Sequence, residues 1–508
     1  MEKHSEGGGR RTSVSSHILA DPEDKAVSFD EAVPFDQQAT KNLLRKLDYH
    51  LVPFLALLYL LSFLDRTNIG NARLAELEVD LGMEGLDYNI ALAIFFPFYV
   101  AAEIPSNMML KKLRPSIWFT FIMMAWAICT TLMGVVQDFP GLLVCRAFLG
   151  VAEGGLFPGV TYYITMWYRR HECGFRMALF FSAATAAGAF GGLLARGLSE
   201  MSGLGGLRGW AWIFIIEGIL TFLVACVAYW VINDYPKTAK FLTHSERTEV
   251  QRRLKDDRSS LADEFDLRYF HQAIRDWKIY VHMFITIGIY TPLYSIALFL
   301  PTIVRSMGYT NERAQLMTVP PYVVACVFTI GAGYGADRAG QRGIFMMTFE
   351  LVAIAGFTML ISSGRPAVQY VGTFFAASGH SRPAPTGIYP LVPLGVAWNG
   401  NNIGGSLKRG VGIAMHVGFG NLGGVIAAFV YQSRYGPRFF NGHGILIGTI
   451  TMSFVLSTLM TIYLRRENAR RDKEAAALGK MTLDDYTQEQ KDEQRHRGDY
   501  ATFFRYTI

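Results

Sequence analysis

Cysteine is scarce here: Cys129, Cys145, Cys173, Cys226 and Cys326 are the only five in 508 residues. They lie in or beside apolar runs without paired spacing, so they read as buried thiols and not as a disulfide framework or zinc ligands. Charge is scarce too, at 18% of residues, and the net charge of +6 is small. Most Lys and Arg fall in loops and tails, which is a topology signal and not a nucleic-acid surface. No Walker-type phosphate loop, His/Asp metal cluster or nucleophile motif occurs, which argues against an ATP-driven pump or an enzyme and leaves no cofactor to expect. The first 38 residues are polar and Gly/Ser-rich with no apolar core segment, so no cleavable signal peptide is expected and disorder is.

Apolar sequence is abundant. Hydrophobic residues make up 51% of the chain, and they gather in runs of about 20 residues, long enough to cross a bilayer. The 50 glycines suit helices that approach closely in lipid. Twelve candidate spans stand at 49–72, 88–110, 117–136, 140–166, 175–198, 210–232, 279–304, 314–336, 343–362, 367–398, 408–432 and 444–464. A polar stretch, 233–277, divides them six and six and carries an amphipathic segment, TAKFLTHSERTEVQRRLKDDR. The expected fold is an all-α membrane protein with 12 transmembrane helices in two pseudo-symmetric six-helix halves. Its divisions are a disordered tail 1–40, a first half 41–232, a linker 233–277, a second half 278–465 and a tail 466–508.

Lys41, Arg45, Lys46, Lys111, Lys112, Arg114, Arg169, Arg170, Arg176, Arg338, Arg342, Lys408, Arg409, Arg465 and Arg466 gather on one side of the spans. The first loop on the other side is acidic, with Glu76, Glu78, Asp80, Glu84 and Asp87. By the positive-inside rule both termini and the linker are cytosolic. Two six-span halves bind substrate between them near the midplane.

Depth decides what the charges do. Leu51 to Leu64 is about 21 Å of helix against a core of about 30 Å, so the first span must continue through Thr67–Ala72. Asp65 and Arg66 then lie within the membrane, and charges there face a cavity rather than lipid. Arg66 is the expected clamp for a carboxylate, being always charged and bidentate. Arg146 and Glu153, seven apart, share one face of span four. Glu153 is the expected proton carrier, and Asp65 a second. Tyr290 and Tyr294 straddle Pro292, a kink that suits cavity lining. His416 and Asn421 fall on span eleven. Glu217 and Glu350 are expected to be structural. Asn399, Asn401 and Asn402 are expected to end span ten as a turn at the cytosolic mouth. Span ten is anomalous: His380–Thr386 interrupts two apolar stretches, neither long enough to cross, and reads as an insertion or a gene-model error.

The loop Gly333–Arg342, GYGADRAGQR, resembles the G-x-x-x-D-R-x-G-x-R loop of the major facilitator superfamily. EIPSNMMLKKLRPS (103–116), LDRTNIGNA (64–72), CRAFLGVAEGGLFPG (145–159), GWAWIFIIEG (209–218) and AWNGNNIGGSLKRGVGIAMHVGFGNLGG (397–424) resemble its fungal anion:cation symporter branch, the allantoate, nicotinate and pantothenate permeases. The first-half loop lacks the Asp of the general pattern, and Ala211 stands where that branch often has Arg. The resemblance implies proton-coupled uptake of a small organic anion across a fungal plasma membrane by a monomer, with no nucleic-acid partner. The expected substrate contacts are Arg66, Asn68, Tyr290, Tyr294 and Asn421. Glu153 and Asp65 would carry protons, and Arg146, Asp337, Arg338, Arg342 and His416 would hold or gate the helices. An exporter of a secondary metabolite and a non-transporting nutrient receptor are the alternatives.

Overall fold

The structure is a computed structural model that describes residues 35–259, 267–377, 387–477 and 497–508, with Gly479, Thr487, Gln490 and Gln494. Eleven helices among the described residues are long and apolar enough to cross a membrane. Spans 1 to 6 are Gln37–Leu74, Asp87–Leu110, Pro115–Met133, Phe139–Thr165, Glu172–Ser199 and Gly209–Val231. Spans 7 to 9 are Trp277–Ser306, Asn311–Ala339 and Gly343–Ser362, and spans 11 and 12 are Leu407–Val430 and Phe440–Ala477. Large apolar side chains such as Phe148, Leu223, Trp230 and Val327 stay exposed on the outside of this bundle, as a lipid-facing belt requires.

The twelfth expected helix is not continuous. Span 10 consists of Pro366–Ala377 and Leu391–Asn401, and pieces of about 18 and 16 Å cannot each cross a core of about 30 Å. His380–Thr386 lies outside the described residues. Its flanks are nevertheless joined: the Ile388 amide donates to the Ala376 carbonyl at 3.2 Å, which brings residues remote in number within one helical turn.

Side chains start several helices. Asp36 accepts from the Ala39 amide at 2.6 Å, Asp138 from Gly141 at 2.8 Å and Asp276 from Lys278 at 3.1 Å, each satisfying an amide that the helix leaves unpaired. Within the first half, span 1 packs on span 5, span 2 on span 4 and span 3 on span 6; in the second, span 7 packs on 11 and 12, and span 9 on 10 and 12. Spans 1, 2 and 5 meet spans 7, 8, 10 and 11 across the seam between halves. Close approach needs glycine where span 4 crosses span 2. A Cβ at Gly150 would lie 2.4 Å from the Phe95 carbonyl oxygen, and one at Gly154 2.4 Å from that of Tyr99, the small-x-x-x-small packing of membrane helices.

The halves touch at both ends. On the face away from the termini, Asn89 donates to the Ala428 carbonyl at 2.5 Å, Asn311 to that of Leu74 at 3.0 Å and Arg73 to Ser433 at 2.9 Å. On the termini face, Arg342 and Asp337 pair at 2.7 Å and press on Gly174 of span 5, where a Cβ would lie 2.5 Å from Asp337 Oδ1. Arg338 is exposed beside them.

The C-terminal segment is not a loose tail. Asp499 is fully buried, with its carboxylate on Lys278 at the start of span 7 and on Lys408 at the start of span 11, the latter at 2.6 Å. Lys278 also donates to the Tyr506 hydroxyl at 2.8 Å. Arg471 donates to the carbonyls of Asp499 at 2.9 Å and Phe504 at 2.8 Å. The Thr507 amide donates to Asn402 at 2.7 Å, Asn402 returns a bond to the Thr507 carbonyl at 2.9 Å, and the Arg342 amide donates to the Ile508 carbonyl at 2.5 Å. Burial pushes the Asp499 carboxyl up, but the two lysines outweigh it and hold the group below the usual carboxylate range.

Candidate functional site

Arg66 is 2% exposed, where span 1 breaks between Thr67 and Ile69. Its Nη2 pairs with Glu153 Oε1 at 2.7 Å and its Nη1 donates to the Tyr294 hydroxyl at 3.0 Å. The guanidinium lies 4.9 Å from the ring centres of both Phe95 and Tyr99, close enough for cation–π attraction to hold it. Tyr294 passes its own proton to Asn421 Oδ1 at 2.7 Å, and Ser62 donates to Glu153 Oε1. Glu153, Arg66, Tyr294 and Asn421 thus form one hydrogen-bonded chain, crossing from span 4 through span 1 to spans 7 and 11. That chain runs from one half of the molecule to the other.

Around it, Tyr59, Phe63, Tyr99, Tyr290, Tyr294 and Asn421 line an enclosed space of about 10 Å³, roughly one water probe. No carboxylate of vitamin size fits without the halves parting. Atoms at the chain's edge stay unpartnered: Glu153 Oε2 and Arg66 Nε. Buried polar atoms are normally satisfied, so this is a site with hydrogen-bonding capacity in reserve.

The other expected residues divide. Tyr290 lines the space. Asp65 faces the opposite way, into the first half, where Oδ2 accepts from Trp126 Nε1 and from the Thr221 hydroxyl, both at 3.1 Å. Neighbours on a helix point about 100° apart, so Asp65 and Arg66 cannot serve one face. Asn68 also turns inward, donating to Glu217 of span 6 and accepting from Asn71 at 3.1 Å. Arg146 donates to the carbonyls of Ala91 at 3.2 Å and Arg66 at 3.4 Å; it fastens the break in span 1 to span 2 and stacks 5.4 Å from Phe95. His416 meets the Thr286 hydroxyl at 2.9 Å. Glu350 accepts from Ser453 at 2.5 Å and Ser457 at 3.2 Å, deep in the second half.

Sequence reasoning missed Ser62, Phe95, Tyr99 and Glu103. Glu103 carried a signal, being an acid inside the apolar run of span 2. The aromatic residues carried none, because an apolar ring in an apolar run does not announce a cation above it.

The family model described as Major Facilitator Superfamily matches residues 55–428. The chain is 32% identical over 507 residues to the uncharacterized transporter C1002.16c of Schizosaccharomyces pombe, covering 98% of this chain and 99% of that protein. It is 36% identical to the MFS-type transporter cnsO of Penicillium expansum, over 86% of each chain. It is 30% identical to the major facilitator-type transporter hxnP of Emericella nidulans, over 92% of this chain and 95% of that one. Among solved structures, a bacterial homolog to the human lysosomal transporter Spinster, inward-facing and occupied, superposes with a TM-score of 0.57 at 15% identity, over 85% of this chain and 98% of that chain.

Proposed function

The chain belongs to the Major Facilitator Superfamily and is a non-enzymatic membrane transporter, and we propose that it moves a small organic anion together with protons, inward across a fungal plasma membrane with both termini in the cytosol. The observation that carries this reading is the buried Arg66–Glu153 pair, the ion pair in the enclosed space between the halves. A substrate carboxylate and Glu153 compete for one guanidinium. In the empty carrier Glu153 neutralises Arg66. When a carboxylate takes the fork of Arg66, the displaced Glu153 is left as an unpaired charge in a dry site, which is costly until a proton neutralises it. The proton therefore binds with the anion. On release the proton leaves, Glu153 re-forms its pair, and the carrier returns.

The Tyr294–Asn421 limb of the chain ties Arg66 to the second half. Replacing those bonds by substrate contacts is how occupancy would bias the seam between closed and parted forms. The class supported is a monocarboxylate of vitamin size, with nicotinate, allantoate and pantothenate as the first compounds to try. The test is uptake of a labelled carboxylate panel by permease-deficient yeast under an imposed pH gradient. Arg66→Ala should abolish gradient-driven uptake at normal surface expression. Undiminished uptake by that variant would overturn the clamp.

A further inference from the structure

Span 2 holds an acid that the exchange above does not use. Glu103 is 1% exposed. It stands one helical turn after Tyr99, on the face that meets the Arg66 guanidinium. It is nine residues, about 13 Å, from the Lys112 end of its helix, so it sits at mid-depth, a step closer to the termini face than the clamp. Neither of its carboxyl oxygens has a hydrogen bond of full geometry, and the donor that bears on it is the side-chain amide of Asn421. Span 11 of the other half faces it: a Cβ at Gly418 would lie 3.4 Å from Oε2. Asn421, one turn further along, aims its amide nitrogen at the Glu103 carboxylate.

The Glu103 carboxylate thus lies at the junction of the halves short of donors, beside Tyr99, Tyr290 and Tyr294, which line the cavity with Arg66. Such a group at a cavity is what the polar end of a ligand completes. The charges point the same way. A plain anion would enter a seam where Glu103, unlike Glu153 with Arg66, pairs with no cation among the described residues. A molecule with both signs would satisfy each end and add no net charge.

We propose that Glu103 forms a second subsite for a cationic nitrogen, so that the carried acid is a zwitterion with its carboxylate on Arg66 and its nitrogen beside Glu103. Tyr99 and Tyr290 supply ring faces that attract such a cation. The inference rests on the reading of Arg66 as carboxylate clamp.

The experiment compares binding of N-methylnicotinate and benzoate to the purified full chain in nanodiscs. The two probes share a ring and a carboxylate and differ in the fixed cationic nitrogen. The native chain should prefer N-methylnicotinate by about tenfold or more, Glu103→Gln should bring the ratio to about one, and Glu103→Asp, which keeps the charge, should retain a preference. Equal binding by the native chain overturns the subsite, as does a preference that survives Glu103→Gln, or no binding of either probe. Arg66→Ala separates the two readings. If it abolishes benzoate binding while the native chain shows no preference, the clamp stands and the second subsite falls. If it changes neither probe, the clamp itself falls.

Discussion

Replacing Glu153 by Gln removes one charge from the centre of the carrier and leaves its shape almost intact. The carboxylate lies 2.7 Å from Arg66, with both side chains at most 3% exposed. With charge centres roughly 4 Å apart, attraction at an effective dielectric of 20 is about 4 kcal/mol. A substrate carboxylate on Arg66 gains about the same amount and must first displace Glu153, so the two nearly cancel in the native chain. A neutral amide at this position does not compete as an anion. The variant should bind a carboxylate at least tenfold more tightly, with the full 4 kcal/mol, nearly a thousandfold, as the ceiling. Phe95 and Tyr99 still hold the guanidinium, so its position should persist. Coupling should vanish with the acid. In proteoliposomes the variant should exchange labelled for unlabelled substrate but fail to concentrate it when the outside is acidified. Uphill accumulation at the native level by Glu153→Gln would show that the proton travels elsewhere.

Arg66→Lys should not rescue uptake, because one ammonium cannot hold Glu153 and Tyr294 in a fork; uptake within a few-fold of native would refute the bidentate role. Gly154→Ala forces a methyl against the Tyr99 carbonyl and should cost about 1–3 kcal/mol, read as a lower melting temperature in detergent. Asp499→Ala leaves Lys278 and Lys408 short of a buried partner, a loss of about 3–5 kcal/mol that hydrogen exchange over 498–508 should report as release of the segment. Because Asp499 is held below the usual range, its contribution is present above the unfolded value near 4 and is lost as pH falls through the lower folded value; protection of the segment should therefore fade only below about pH 4. Deleting His380–Thr386 should leave folding and surface expression intact, since the flanks are already joined through Ile388 and Ala376; loss of both would refute the reading of an insertion.

Depth was legible in the sequence, and direction around a helix was not. The length of the first apolar run places Arg66 within the span and not at its end, the structure buries it at 2% exposure, and seven-residue spacing sets Arg146 and Glu153 on one face. Span count and the split into halves follow from hydropathy alone. Yet Asp65, at almost the same depth as Arg66, turns to Trp126 and Thr221. Only packing against spans 3 and 6 decides that. Asn68 is diverted to Glu217 in the same way. From its charged composition the C-terminal segment is expected only as a cytosolic tail. Its seat is built from residues more than 200 positions away, such as Lys278, and no local pattern encodes such a pairing.

That seat has a consequence for biogenesis. Residues 498–508 leave the ribosome after every span of the chain, and domains fold as they emerge. Until that moment the ammonium groups of Lys278 and Lys408 share Asp276 alone, without Asp499 to cover them. Lysine is the attachment point for ubiquitin, so a chain in which this segment is not yet seated would display two amines that the seated one conceals. Access to those two lysines would then report whether the segment has reached its seat.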